Sequence, residues 1–523
     1  MREVGLMLDI ASSNWRTRSP KLLASLMIGI TYGIILLTKD VQEDAFITFR
    51  TAFNLADYGE LSFNLGEGHN SATSLLYPLW IALLRMIFGS CTIGVVLLLN
   101  SAAVVIASAL IARIARHLLD LRANQTTMLW LVIAISPVSL LMATRGMEAA
   151  LIVLFISLGL DSLRSGRALN LTICIALLPL LRPDAVIFSG LLMVCAIFAR
   201  KGLTAASLVG TVAGAGLYIA LSFPIYGSLI PLTVNAKSLA HQDPDRSALG
   251  GLLRLVQSNA FAPFHSKYLI AAYSLLTVSA FVLSMMVIVW AGRYQRSRIP
   301  IVAFMVGAIW LPVIVFFVRG IVFPWYLWPS GFLYASLVWS FIVFLRSKVL
   351  AKHRVWPDGL ILFAALVLAL SQIALSFNNG LQESGYRASV GIYIRDKAEP
   401  QDTLFLEPAG YIPFYSGLRT IDDVGLTSPL ATQYMSSGDT YWRATLIRDQ
   451  LPSWLVLREP VEVLDSASSD EAVDPLNRMY CLERQFIYNP SAFSPQALLS
   501  LARLGDHSPY FLYRLGDCNG RDD

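Results

Sequence analysis

Asp40-Val41-Gln42-Glu43-Asp44-Ala45-Phe46-Ile47-Thr48-Phe49-Arg50 follows directly on an apolar run at about residues 22–38. Three carboxylates (Asp40, Glu43, Asp44) stand where an apolar helix leaves a bilayer, and residues 44–58 carry helical amphipathic spacing. Acidic side chains are costly next to hydrocarbon, so a cluster held at that depth points to function by default. The dipole at a helix start favours Glu43 and Asp44 there. Capping alone accounts for Asp40, and capping plus a membrane stop is the plain alternative for the other two. The functional reading is a general base, or a ligand to a divalent cation, poised over the membrane surface.

The chain has 523 residues, 55% hydrophobic and 14% charged, with a mean hydropathy of +0.59. Soluble domains carry about 25% charged residues, so the many long apolar runs describe a polytopic membrane protein, not a large soluble core. The net charge of +5 is small, and Lys and Arg gather in short loops. That pattern fits topology and argues against nucleic-acid binding. The first apolar run begins only after Arg16, Arg18 and Lys21 with no small-residue cleavage site behind it, so it reads as a retained span.

Positive-inside bookkeeping predicts a cytoplasmic N-terminus and a long outer loop over 40–90. Within that loop, 59–74 is a Gly/Asn/Ser-rich turn region, and 75–88 is apolar but short, predicting an interfacial or re-entrant helix. Were 75–88 to span, Arg113, Arg116 and Arg122 would lie on the wrong side. Further spans are predicted near 92–112, 127–144, 147–163, 168–182, 184–199, 203–223, 268–291, 299–318, 324–345 and 358–376, about eleven in all with the first. Residues 224–267 form a second outer loop. The predicted organisation is a mainly α transmembrane module over 1–377 and a soluble α/β domain over 378–523, on the periplasmic side. In the latter, apolar runs at 403–406, 418–421 and 454–457 alternate with helical stretches at 383–397 and 431–449.

A second set of candidates is basic. Arg145, Arg182, Lys237 and Arg319 fall at the outer ends of four different segments, against the usual bias, and as a set suggest a site for a lipid phosphate. For any one of them, snorkelling at interface depth is the plain alternative. Glu148 and Asp184 are further carboxylates at span tips, each able to pair with a neighbouring Arg. Trp325 and Tyr326, within Phe323–Pro329, suit stacking on a sugar or gripping a prenyl chain, as well as an ordinary aromatic belt. Of six scattered histidines, His69 and His241 lie in the outer loops and are kept as substrate contacts. No nucleotide-binding loop and no zinc-ligand spacing is present, so no cofactor is required and a sugar donor has to come from the membrane. Cys91, Cys174 and Cys195 read as packing residues, and Cys481 and Cys518 are able to pair if their domain is in an oxidising compartment.

Several segments together resemble the GT-C superfamily of polyprenyl-phosphate-dependent glycosyltransferases, and within it a subgroup that includes the mycobacterial terminal arabinofuranosyltransferases. They are Glu43-Asp44-Ala45-Phe46-Ile47-x-x-Arg50, Asn54-Leu55-Ala56, Leu61-x-Phe63-Asn64-x-Gly66-Glu67 and Pro78-Leu79-Trp80. Gly146-Met147-Glu148, Arg182-Pro183-Asp184 and Tyr226-Gly227-Ser228-Leu229-Ile230-Pro231, continuing to Asn235-Ala236-Lys237, extend the match. So does Ala409-Gly410-Tyr411-Ile412-Pro413-Phe414-Tyr415-Ser416-Gly417-Leu418-Arg419. Where the subgroup usually has Asp-Asp this chain has Glu43-Asp44, and Leu232 stands in place of an Asn.

The resemblance implies an inverting transfer of a sugar, arabinofuranose in the subgroup, from a polyprenyl-phosphate donor to an envelope glycan or protein acceptor. Asp44, with Glu43 as rival, would be the base. Arg145, Arg182, Lys237 and Arg319 would hold the donor phosphate, and Glu148, His69, Asn235, Trp325 and Tyr326 would contact substrate. A divalent cation bridging carboxylate and phosphate is compatible with this set but not needed, since basic side chains do the same work. The implied setting is the bacterial inner membrane. Two other classes use similar features: a lipid-linked sugar flippase, which would carry inverted repeats and midplane charges, and a non-catalytic partner in an envelope polysaccharide complex.

Overall fold

The computed structural model describes residues 21–68, 71–199, 201–229, 231–240, 282, 286, 298–319, 323–348, 357–465, 476–488 and 509–516. His69, His241, most of the predicted outer loop 224–267 and, but for two positions, the predicted span at 268–291 lie outside the described residues.

The first span is α1 (Lys21–Thr38). After it come α2 (Glu43–Tyr58), α3 (Leu76–Phe88), α4 (Thr92–Leu119), α5 (Ala123–Ala134), α6 (Pro137–Thr144), α7 (Ala149–Ser165), α8 (Ala168–Leu181), α9 (Val186–Ala199), α10 (Lys201–Tyr226) and α11 (Leu232–Ala240). Beyond the undescribed stretch lie α12 (Ile299–Arg319), α13 (Trp328–Lys348), α14 (Pro357–Gly380) and α15 (Ala388–Lys397). Among the described residues five helices are long and apolar enough to cross a membrane, or six if α5 and α6, bent by 55°, count as one span.

The stretch 75–88 is helical, as α3, and a turn at Gly89–Cys91, with Gly89 at φ +55°, separates it from α4. Asn100 of α4 donates to the Tyr77 hydroxyl at 3.3 Å, so α3 lies back against α4. The hydroxyl of Thr92 donates to the Gly89 carbonyl at 2.7 Å and closes that turn. The exposed Cys91 in the turn is not a packing residue, whereas Cys174 and Cys195 are buried. Near residue 378, where the composition changes, α14 runs through a wide π turn (Leu381–Arg387) into α15, giving one helix from Asp358 to Lys397. No proline interrupts it, so nothing obliges the chain to leave the helix there.

Close helix packing in the bundle depends on small residues. Gly210 and Gly214 on α10 face α8, where a Cβ would come within 2.7 Å of the Thr172 carbonyl and 2.9 Å of the Ala176 Cα.

The C-terminal part holds a five-stranded sheet of order β2-β1-β3-β5-β4. β1 (Thr403–Leu406), β2 (Arg419–Asp422) and β3 (Trp454–Leu457) coincide within one residue with the three predicted apolar runs and are mutually parallel. β4 (Tyr480–Phe486) and β5 (Tyr510–Leu515) add an antiparallel pair that the sequence pattern did not indicate. Glu483 and Arg484 sit mid-strand in β4, where burial follows no clean alternation. The helical stretch expected at 431–449 is two helices, Pro429–Ser436 and Trp442–Gln450, divided at Gly438 (φ +79°). Cys481 is disulfide-bonded, and its expected partner Cys518 lies outside the described residues.

α2 joins bundle and sheet domain. Its apolar face, with Phe46 and Phe49 buried, packs on Tyr77 and Ile81 of α3 and on Tyr411. The Arg50 guanidinium, buried, donates to Phe63 O (2.8 Å), Pro413 O (2.6 Å) and Leu418 O (2.7 Å). Asn64 pairs with both backbone groups of Thr420, donating at 2.8 Å and accepting at 3.0 Å. Buried charge-assisted bonds of this kind are strong and directional, so they fix the loop on the domain.

Candidate active site

Glu43 and Asp44 form the first turn of α2, as expected, but Asp40 does not cap it. The N-cap position is Gln42, and Asp40 is wholly buried against Arg145 at 3.1 Å. Burial pushes the Asp40 carboxyl up, and the neighbouring guanidinium pulls it part of the way back. Arg145 also donates to Gln42 Oε1 at 3.0 Å. Arg145 therefore ties the α6–α7 turn to the start of α2, and it does not line the cavity described next.

That cavity, of about 40 Å³, lies between α2, the 71–74 segment, the α6–α7 turn, the α8–α9 turn, α11 and the segment preceding α13. Asp44, Glu148, Arg182, Lys237, Trp325 and Tyr326 all line it. Six of the candidates drawn from separate parts of the sequence thus share one wall. The volume is enough for a few waters and not for a sugar.

Lys237 enters from α11 with its Nζ 3.5 Å from Asp44 Oδ2. Its Nζ also sits 5.0 Å from the ring of Phe323, 5.7 Å from Trp325 and 5.5 Å from Tyr326, an arrangement in which ring faces attract a cation. Burial alone would pull the ammonium pKa down, but Tyr326 and Asp44 outweigh it and leave the pKa above the ordinary lysine value. The lysine is charged in this site.

Arg182 is buried at the α8–α9 turn and clamped. Its Nε and Nη2 donate to the two carboxylate oxygens of Asp184 at 2.6 and 2.8 Å, and Nη1 reaches Glu148 Oε1 at 3.4 Å. It also donates to the carbonyls of Trp325 and Tyr326 at 3.5 and 3.2 Å, which holds the aromatic segment against the cavity.

Glu43 points the other way. Its Oε1 accepts from the backbone N–H groups of Gly410 (2.6 Å) and Tyr411 (3.0 Å), and its Oε2 meets Arg387 at 3.2 Å. Arg387 in turn bonds Glu383. Burial pushes the Glu43 carboxyl up to about 8, with the nearby Glu383 adding to the rise and Arg387 opposing it. Of the remaining candidates, Asn235 is exposed on α11 and does not line the cavity, while His69 and the Arg319 side chain lie outside the described residues.

Sequence reasoning missed the small polar lining: Thr48, Ser71, Thr73, Ser74 and Thr233. The Ser/Thr content of 71–74 had read only as a turn. Among the described residues no group of three or more His, Cys, Asp and Glu is arranged to hold a metal ion.

A family model described as a domain of unknown function (DUF8728) matches residues 373–509, a minority of the chain. A search of curated protein sequences finds no match. Among solved structures, the crystal structure of ArnT from Cupriavidus metallidurans in the apo state is similar at 12% identity with a TM-score of 0.54, over 96% of this chain and 98% of that one. The same protein bound to undecaprenyl phosphate is similar at 12% identity with a TM-score of 0.51, over 95% and 98%. The likeness extends over nearly the whole length of both chains, and the fold is the GT-C fold: an apolar helical bundle carrying a small C-terminal sheet domain.

Proposed function

We propose that this chain is a membrane glycosyltransferase that moves a sugar from a polyprenyl-phosphate donor to an envelope acceptor. The observation that carries the reading is the meeting of Asp44 with Lys237 at 3.5 Å in a cavity that Arg182 also lines. A carboxylate, an ammonium and a guanidinium are the groups an acid–base displacement of a phosphate leaving group needs. The fold likeness to ArnT, one of whose structures holds undecaprenyl phosphate, supports a lipid phosphate as the carrier.

In this mechanism Asp44 takes the proton of an acceptor hydroxyl as its oxygen attacks the anomeric carbon. The bond from that carbon to the phosphate oxygen breaks, and the electron pair leaves on the lipid phosphate. Lys237, released from Asp44 as the carboxylate becomes protonated, meets the charge growing on that oxygen, with Arg182 behind it. Attack opposite the leaving group inverts the anomeric centre. Glu148 and the clamped Asp184 hold Arg182 in place, and Trp325 and Tyr326 offer faces to the sugar. A divalent cation is not needed, because two cationic side chains serve the phosphate.

The sugar, arabinofuranose, rests on the sequence resemblance alone, as do the inner-membrane location and a periplasmic sheet domain. The test is transfer by the purified protein from synthetic polyprenyl-phosphoryl arabinofuranose, mannose and galactose to a glycan acceptor. Transfer abolished by Asp44→Asn supports the reading. Absence of transfer from any of these donors, or full turnover in Asp44→Asn, overturns it.

A further inference from the structure

The sheet domain contains a second polar cavity, of about 210 Å³, some five times the volume of the one at Asp44. Its position follows from topology. The chain passes from β1 to β2 on one side and then crosses to β3 on the other side of β1, so β1 and β3 flank a switch point in the parallel part of the sheet. Ligands of such sheets bind outside the carboxyl ends of the strands at that point. Here the residues that leave the strand ends are Glu407 after β1, Asp423 after β2, and Arg458 and Glu459 after β3, and all four line the cavity. Arg443, from the helix Trp442–Gln450, completes the polar rim.

The neighbouring aspartates show that this rim is not spent on folding. Asp422 is buried and fully used: it accepts from the N–H groups of Leu426 (2.6 Å) and Thr427 (2.7 Å) and from the Thr427 hydroxyl (2.6 Å), closing the turn after β2. Asp423 meets Arg443 through Oδ2 at 3.3 Å, but its Oδ1 is buried without a hydrogen-bond partner. A buried carboxylate oxygen left unmatched is costly and calls for a partner. Glu407 pairs loosely with Arg458 Nε at 3.6 Å, and Glu407 and Arg443 are both about half exposed to the cavity.

The charges decide the ligand class. Burial and the neighbouring Glu407 push the Asp423 carboxyl up to about 8, so at neutral pH Glu407 and Glu459 balance Arg443 and Arg458, and neither an anion nor a cation is favoured. A neutral hydroxyl both donates and accepts, so it bridges carboxylate and guanidinium without adding charge. Phe405, Val456 and Leu464 supply an apolar wall for the C–H face of a ring. We propose that the cavity at the carboxyl ends of β1, β2 and β3 is a saccharide-binding site, with Asp423, Glu407 and Arg443 as its hydrogen-bonding groups. It stands apart from the transfer reading, since it needs neither the lipid donor nor Asp44.

The test uses the full-length protein in detergent without donor lipid. Methyl glycosides of arabinofuranose, mannose and galactose are the probes, with inorganic phosphate and spermidine in parallel, read by saturation-transfer NMR. Expected is saturable binding of at least one glycoside, weakened roughly tenfold or more in Asp423→Ala and in Glu407→Gln. Thermal unfolding verifies that each variant is folded. The half-exposed Glu407 keeps the test available should Asp423→Ala not fold. Binding of no glycoside, binding of phosphate or spermidine instead, or undiminished glycoside binding in folded Glu407→Gln overturns the proposal. Because no donor is present, either result leaves the transfer assay to be judged on its own.

Discussion

Glu43 and Asp44 are adjacent in the chain, yet their carboxylates serve opposite sides of α2. Glu43 accepts the Gly410 N–H at 2.6 Å, and Asp44 faces Lys237 at 3.5 Å. Successive helical positions are turned by about 100°, which is enough here to put one group into the seam with the sheet domain and the other into the cavity.

The two residues therefore fail differently. Asp44→Asn is expected to lower turnover by about 10²- to 10⁴-fold with thermal stability unchanged, the range for loss of a positioned base. Glu43→Gln keeps an acceptor for both backbone N–H groups and is expected to retain most turnover. Donor-transfer kinetics on both variants check this, and equal losses would refute the division of roles.

Stability should fall as pH rises. The Glu43 carboxyl is held at about 8 in the folded protein against an ordinary 4.5, so the folded chain binds this proton more tightly than the unfolded one. Between those values the folded state carries more protons, and unfolding free energy decreases with increasing pH. Midpoints measured at pH 5 and pH 8.5 are expected to drop less in Glu43→Gln than in the parent, and parallel slopes would count against the assignment.

Gly410 has no room for a side chain. A Cβ there would run first into the backbone carbonyl oxygen of Glu43 and would also sit 2.5 Å from Glu43 Oε1. Gly410→Ala is expected to cost about 1–3 kcal/mol through overpacking, read as a lowered unfolding midpoint. In Glu43→Ala the same change should keep most of that cost, because the backbone carbonyl of residue 43 stays in place. A double variant far more stable than the sum of the two changes would show that the carboxylate, not the carbonyl, sets the cost.

Lys237 is enclosed by three rings that fit a compact ammonium. Lys237→Gln is expected to reduce kcat about 10²- to 10³-fold, as for loss of one group that stabilises developing charge. Lys237→Arg should recover only part of this, since the planar guanidinium is larger and differently hydrated. Full activity in Lys237→Gln would remove the lysine from the phosphate site.

Much of this was legible in the sequence. The α2 start, the three parallel strands and the convergence of Asp44, Glu148, Arg182, Lys237, Trp325 and Tyr326 all follow from local pattern plus resemblance. What stayed hidden depends on contacts distant in the chain. Glu43 is committed to Gly410 and Arg387, more than 300 positions away, and no local rule separates it from Asp44. Asp40 looked like a cap because capping is a local property, while its partner Arg145 comes from another turn. The ring enclosure of Lys237 needs a segment nearly ninety residues on, whose aromatics alone read as an interfacial belt. β4 carries adjacent Glu483 and Arg484 at a register shift, which breaks period-two alternation, so it gave no strand signal for β5 to pair with.

The uninterrupted helix from Asp358 to Lys397 has a mechanical meaning. At 1.5 Å per residue, 40 residues make a strut of about 60 Å; Glu43 grips its Arg387 and Arg50 ties α2 to the sheet domain, so it behaves like a keel welded to its hull. Swinging the sheet domain aside would snap those braces. A sugar is larger than the present 40 Å³ space, and the short pieces of its wall, α11 with Lys237 and the aromatic pair Trp325 and Tyr326, stand outside those braces.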